Sequence, residues 1–429
     1  MIGALILLVL VLLGAPLFAI IASSALIGFH SEEIDLSVIA IEIYRIADTP
    51  ILLAIPLFTF AGYVLGESKA SERLVRLTNA LLGWLPGGLA VVSLLACAFF
   101  TALTGASGAT IIALGAILYP AMKQAGYGEH FNLGLITSSG SLGLLFPPSI
   151  ALILYGVIAQ QMDLDQPVAI DDLFIAGLLP GLLMLSLLIA WSMHKSVKDK
   201  IPTTAFDATK LFIAFRESMW EMPLPVILIG GIYSGYFAIS EAAAVAVLYV
   251  LIVDVLILRE IKITQLPKIM KESMILVGGV LIILGVSLAS TNYLIDTEVP
   301  SRLFDYVREH IDSKLTFLIL LNIFLLVLGM ILDIFSALVL IVPLTLPIAI
   351  GYGVHPVHFG IIFLANMQIG YFTPPVGMNL FIASYRFNKP ITELYLATIP
   401  FMLILFLAVL IITYWPDLSM GLLELRHSN

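Results

Sequence analysis

Residues 140–149 read Gly-Ser-Leu-Gly-Leu-Leu-Phe-Pro-Pro-Ser, and residues 370–377 read Gly-Tyr-Phe-Thr-Pro-Pro-Val-Gly. Each lies inside a long stretch free of Asp, Glu, Lys and Arg, 131–162 in one case and 359–385 in the other. Runs above about 18 apolar residues read as membrane spans, yet both carry a Pro-Pro pair and helix-weakening glycines. Lipid cannot satisfy free backbone groups, so non-helical chain at that depth must be buried in protein or line a cavity. The two breaks decide the fold.

Working outward, the flanks match. Gly126-Tyr127-Gly128, His130 and Gly134 precede the first break, and Gly351-Tyr352-Gly353, His355 and Gly360 precede the second, at an offset that drifts from 225 to 227. The Lys/Arg distribution sets the orientation. Fifteen of the twenty fall in 67–86, 122–130, 194–222, 259–272 and 386–391, which are assigned to the cytoplasm. The other five lie in 30–50, 291–314 and 416–429, assigned outside together with 162–172 and 233–240. The 162–172 loop holds Asp163, Asp165, Asp171 and Asp172 and no base. Under this topology 2–29 is a first span, and the apolar segments 88–121 and 315–350 each begin and end on one side. Both are expected to be re-entrant helical hairpins. The order span, amphipathic stretch, hairpin, broken span, span then recurs in 51–193 and 273–415 with opposite starting sides. Inverted repeats with interrupted helices at matching positions are the mark of secondary transporters.

The expected fold is therefore an all-α polytopic membrane protein with inverted repeats, two re-entrant hairpins and two broken helices. Residues 1–50 form an N-terminal scaffold span and loop. Residues 51–193 are the first repeat (hairpin 88–121, broken helix 131–161), and 194–272 are a cytoplasmic linker with scaffold spans 223–238 and 241–258. Residues 273–415 are the second repeat (hairpin 315–350, broken helix 359–385), followed by a tail, 416–429.

Composition excludes other classes. The 429 residues are 60% hydrophobic and 11% charged, with mean hydropathy +1.08, whereas soluble proteins carry about 25% charged residues. The bilayer is the solvent, and the chain is expected in a bacterial inner membrane. Net charge −9 without a basic–aromatic patch argues against nucleic acid, and a single cysteine, Cys97, against a disulfide framework. Gly105-Ala106-Ser107-Gly108 fits a Gly-x-Ser-Gly protease pattern, but all seven histidines fall in or beside loops, leaving the serine without a base. No enzyme and no organic cofactor is expected.

The breaks free carbonyl oxygens, and the first hairpin turns at Thr104-Gly105-Ala106-Ser107-Gly108, adding two hydroxyls. Such oxygens suit a hard cation such as Na⁺. Of the acids placed within spans, Glu241 stands at a helix start, Asp254 lies near Arg259, and Asp333 sits at the second hairpin turn. Asp333 reads either as an ion or substrate contact or as a helix cap.

These motifs resemble the large membrane subunit of a tripartite ATP-independent periplasmic (TRAP) transporter. The residues that carry the resemblance are Ser139 to Ser149, Thr104 to Gly108 and Tyr371 to Gly377. It implies an elevator-type, Na⁺-driven importer of a small organic acid, fed by a periplasmic substrate-binding protein and completed by a small TRAP membrane subunit, expected as a separate polypeptide. It also implies two Na⁺ sites. The first falls on Thr104, Ala106, Gly143, Phe146 and Pro148. The repeat offset carries it to Asp333, Gly370, Thr373 and Pro375, with Gly329 and Met378 as additions. Ala106 stands where the family has a serine, so it offers only a carbonyl. Ser107, Ser149, Asn366 and Asn379 are the substrate candidates. The alternative is a self-sufficient cation–carboxylate symporter needing no binding protein.

Overall fold

The computed structural model describes residues 6–427 apart from positions 8, 11, 48, 163 and 204, and among these residues it contains no strand. Among the described residues seven helices are long and apolar enough to cross a membrane by length and composition, and Glu129–Leu145 with Ile150–Gln161 make a further span bent by 42°. Val226, Leu248, Ile275 and Leu403 are each more than half exposed. In an all-helical chain this apolar, such outward faces are what lipid covers. The chain is a multi-pass inner-membrane protein.

The N-terminal region opens with α1 (Leu17–Ser31) and α2 (Ser37–Ala47). Of the expected first span, residues 2–5, 8 and 11 lie outside the described residues, as does Asp163. The rest is not one helix. Gly14 turns in the left-handed region at φ +72°, and helix resumes only after Pro16. The first half continues with α3 (Ala54–Glu67), α4 (Ala70–Leu82), α5 (Gly88–Thr104), α6 (Ser107–Gln124) and α7 (Glu129–Ser139). A 3-10 turn, Leu142–Leu145, leads to α8 (Ile150–Gln161) and then the 29-residue α9 (Ile170–Lys198).

Between the halves stand α10 (Ala208–Glu217), α11 (Pro223–Tyr233) and α12 (Ile239–Val250), the last extended by a π-helical stretch, Leu251–Ile257. The sequence reads 223–258 as two spans. Only the second is long enough, since α11 has 11 residues and covers about 16 Å at 1.5 Å each. The second half runs through α13 (Leu266–Asp296), α14 (Val299–His310), α15 (Lys314–Ile331), α16 (Ile334–Gly351), α17 (Pro356–Gly370), α18 (Met378–Phe387) and α19 (Ile391–Tyr414). The expected tail is a helix as well, α20 (Asp417–His427). It packs on α9, and Arg426 pairs with Asp171 (2.7 Å) and Asp172 (3.3 Å). The acidic loop thus finds its base far along the chain.

The halves are interleaved. The second arm of each helix pair packs on the helix that follows the other half's Pro-Pro break, α6 on α18 and α16 on α8. The helices before the breaks face the other half's long helix, α7 against α19 and α17 against α9. Glycines permit the closest approaches: a Cβ on Gly134 would lie 2.1 Å from the Ala397 carbonyl oxygen. Lys389 closes the seam on Glu129, whose carboxylate raises the lysine's affinity for its proton. The Ser141 hydroxyl donates to the Gln368 carbonyl at 3.0 Å across a separation of 227 residues. This is the offset between the two Pro-Pro pairs.

Candidate functional site

The first turn between paired helices is Gly105-Ala106. Gly105 has φ +67°, and a Cβ there would lie 2.5 Å from Ile150 Cδ1, so glycine is required on both counts. Thr104 is buried, and its hydroxyl donates to the Phe100 carbonyl at 2.9 Å. One turn earlier, Thr101 sits 2.6 Å from the Thr110 hydroxyl and donates to the Gly140 carbonyl at 2.8 Å, tying the turn to the first break. Gly143 is pressed onto α5: its Cβ would stand 2.3 Å from Ala98 O and Ala102 N.

The second turn is Leu332-Asp333. Asp333 caps α16: Oδ1 accepts from the Phe335 and Ser336 amides, both at 3.0 Å, and Oδ2 accepts from the Ser336 hydroxyl at 2.5 Å. The Ile334 amide donates to the Tyr371 hydroxyl at 2.7 Å, and the Gly377 amide to the Met330 carbonyl at 2.9 Å. Gly329 and Gly370 are in direct contact, for a Cβ on Gly370 would reach 2.5 Å from Gly329 Cα. Each turn is thus bonded to the break of its own half. Both breaks hold their Pro-Pro bond in the cis form.

Between the turns lies a cavity of about 440 Å³. The first turn supplies Thr104 to Ala109, and Ile334, Phe335, Tyr371 and Met378 come from the second half. The opposite wall is Tyr63 and Glu67 of α3 with Glu272 and Leu276 of α13. Among the described residues no Lys or Arg lines it. The Ser107 hydroxyl, on a residue 4% exposed, has no hydrogen-bond partner.

The structure brings only part of the expected residues to this place. Thr104, Ala106, Ser107 and Met378 line the cavity. Gly329, Gly370 and Asp333 belong to the second turn and its break. The Thr373 hydroxyl is turned back on the Ile369 carbonyl at 2.8 Å, and the Pro375 carbonyl accepts from the Tyr395 hydroxyl. Phe146 packs against Gly181, where a Cβ would meet its ring at 2.9 Å. Together with Pro148 it lines a separate apolar crevice between α5, α9 and α11. Ser149 caps α8 by accepting from the Leu152 amide at 3.4 Å. Asn366 is buried away from the cavity, donating to Asn322 Oδ1 at 2.7 Å. Asn379 donates to the Thr137 carbonyl at 3.3 Å, with its Oδ1 unpartnered. Sequence reasoning missed Thr101, Thr110 and Tyr371. Thr101 stood within reach, three residues before Thr104 on the same helix face. Among the described residues no three His, Cys, Asp or Glu side chains gather as a metal site.

Comparison with known proteins decides the identity. The profile of the family described as "Tripartite ATP-independent periplasmic transporter, DctM component" matches residues 4–418. The chain belongs to the DctM family of TRAP transporters. It is 35% identical over 386 residues to the "C4-dicarboxylate TRAP transporter large permease protein DctM" of Pseudomonas aeruginosa, covering 90% of this chain and 88% of that one. It is 31% identical over 425 residues to the "Ectoine/5-hydroxyectoine TRAP transporter large permease protein UehC" of Ruegeria pomeroyi, covering 98% of each. Among solved structures, the Alcanivorax borkumensis YdaH transporter shares the fold, with TM-score 0.63 at 14% identity over 87% of this chain and 89% of that one. A DctM-family chain is a transport protein and not an enzyme.

Proposed function

We propose that this DctM-family chain imports a small organic acid across the inner membrane by an Na⁺-coupled elevator movement. On this reading it acts as the large permease beside a small TRAP membrane subunit and a periplasmic binding protein. The observation that carries the reading is the cavity between the two turns, with the unpartnered Ser107 hydroxyl on its wall. The interleaved packing of the two halves supports inverted repeats, because residues related by the repeat and touching each other, as Ser141 and Gln368 do, belong on a pseudo-twofold axis. In this arrangement 88–121 and 315–350 are the re-entrant hairpins, 131–161 and 359–385 the broken helices, and α3 and α13 the static wall. Residues 194–222 are cytoplasmic.

The two Na⁺ sites are assigned to the turn-and-break junctions. The first draws on Thr104, Ala106 and Gly143, with Phe146 and Pro148 as outer members. The second draws on Asp333, Gly370 and Thr373, with Gly329, Pro375 and Met378 beside them. The substrate sits against Ser107; Ser149, Asn366 and Asn379 support the helices around it. The relatives named for C4-dicarboxylates and ectoine include a dianion and a zwitterion. Without a lining base, half-helix N-termini, the hydroxyl and bound Na⁺ must hold the acid group.

The test is uptake into proteoliposomes holding both membrane subunits with the binding protein outside, measured against external Na⁺. Thr104→Val and Thr373→Val each remove one hydroxyl oxygen at nearly constant volume. Each should raise the Na⁺ concentration needed for half-maximal uptake. Unchanged Na⁺ dependence in both removes them from the sites, and wild-type uptake indifferent to an Na⁺ gradient defeats the mechanism. Full uptake by the large chain alone favours a self-sufficient symporter.

A further inference from the structure

A second concentration of buried charge lies away from the cavity, where α4 leaves α3. Arg73 is 6% exposed. Its Nε donates to Glu221 Oε1 at 2.6 Å, and its Nη1 donates to Glu260. Glu260 Oε2 also accepts from the Lys69 amide at 2.9 Å. Asp254, in the π-helical stretch after α12, comes no nearer than 4.0 Å to Arg73 Nη2. It is 1% exposed, and neither carboxylate oxygen has a hydrogen-bond partner. Glu221 Oε2 is buried and unpartnered as well.

One guanidinium therefore faces three carboxylates. Arg73 engages Glu221 and Glu260 directly, and the Glu260 side chain, 15% exposed, borders water. Asp254 has neither resource. A buried carboxylate without partners is far costlier than a lost hydrogen bond, so its charge must be neutralised. The remaining polar neighbours are committed elsewhere: the Tyr249 hydroxyl donates to the Trp220 carbonyl at 2.8 Å and the Ser68 hydroxyl to the Leu65 carbonyl at 2.9 Å. The available space decides what neutralises it. The cavity shared by Asp254 and Glu221, walled by Phe99, Leu103, Trp220 and Leu224, offers about 10 Å³. This is the lower limit for a single water, too little for a cation that keeps its water shell. A proton fits.

We propose that Asp254 is a proton-binding site, held as the neutral acid in the resting protein, and that its deprotonation loosens α4 from the segments that carry Glu221 and Asp254. Since α4 leads directly into α5, this cluster fixes one end of the arm that carries the first turn. The site does not depend on the Na⁺ reading. The native state binds a proton here that the unfolded chain releases at neutral pH, so stability is greatest in acid and falls as pH rises.

The test uses the full chain purified in detergent. Wild-type Tm should fall from mildly acidic to alkaline pH, whereas Asp254→Asn, neutral and nearly isosteric, should hold the wild-type acidic value throughout. The infrared spectrum at neutral pH should contain a protonated-carboxyl C=O stretch that Asp254→Asn loses and Asp254→Glu shifts. An Asp254→Asn protein that is less stable than wild type at every pH, or shares its pH slope, overturns the proposal. So does an Asn variant that fails to fold where Asp254→Glu folds, since an ionised Asp254 is then needed. Absence of any protonated-carboxyl band in wild type at neutral pH overturns it alone.

Discussion

Replacing Gly143 by alanine tests how the first break is held. The added Cβ would lie 2.3 Å from both Ala98 O and Ala102 N and 2.6 Å from Thr101 Cβ. Ordinary contact of such atoms begins at 3.4 Å, so the 3-10 turn and α5 must separate by about 1 Å at this point. The neighbours cannot rotate away, because two of the three are helix backbone. Overpacking of a filled interior costs about 1–3 kcal/mol, and a clash with backbone belongs at the upper end. Opening the gap also stretches the 2.8 Å bond from Thr101 to the Gly140 carbonyl, worth about 1 kcal/mol. A loss of about 3–4 kcal/mol is large against the roughly 5–15 kcal/mol by which folded domains exceed the unfolded state. With an unfolding entropy of about 2.1 cal/mol/K per residue over 429 residues, thermal unfolding of the purified protein should show Tm lowered by about 3–5 °C. Gly279→Ala in α13 is the control. Nothing lies within 4 Å of its Cβ, and alanine is the better helix former by about 1 kcal/mol, so Tm should hold or rise. A Gly143→Ala protein with wild-type Tm and uptake would refute the claim that this break is seated directly on α5.

Two further outcomes separate structural from functional roles at the turns. Asp333→Ala removes three accepted bonds at the start of α16 and should cost about 1–2 kcal/mol in thermal or denaturant unfolding. Asp333→Asn caps about as well, so it should leave Tm nearly unchanged and raise the Na⁺ requirement for uptake only if the charge serves an ion. Ser107→Ala breaks no hydrogen bond within the protein, so its Tm should match wild type while the KM for uptake rises. A wild-type KM would take Ser107 out of the substrate site.

The sequence foretold the elements whose cause is local. The Pro-Pro breaks were legible because proline lacks an amide donor and glycine weakens helix wherever either stands. Both helix pairs were legible because charge counts do not depend on packing. The candidate residues fared unevenly for the same reason. Asp333 and Ser149 are local caps, each satisfied by amides two or three residues on. Phe146 and Pro148 turn toward an apolar crevice whose other walls, Leu182 and Pro225, lie distant in sequence, and nothing in their own neighbourhood announces it. Arg73 is the clearest case. Topology by positive charge treats every base as solvated, but this one is buried by Glu221 and Glu260, 148 and 187 residues away. The repeat offset is an intermediate case. It equates Ser141 with Gln368 from sequence alone, yet only the packing of the two halves brings these residues into contact. A local rule can therefore mark where the chain must break, whereas only the interleaving of the two halves decides what each break faces.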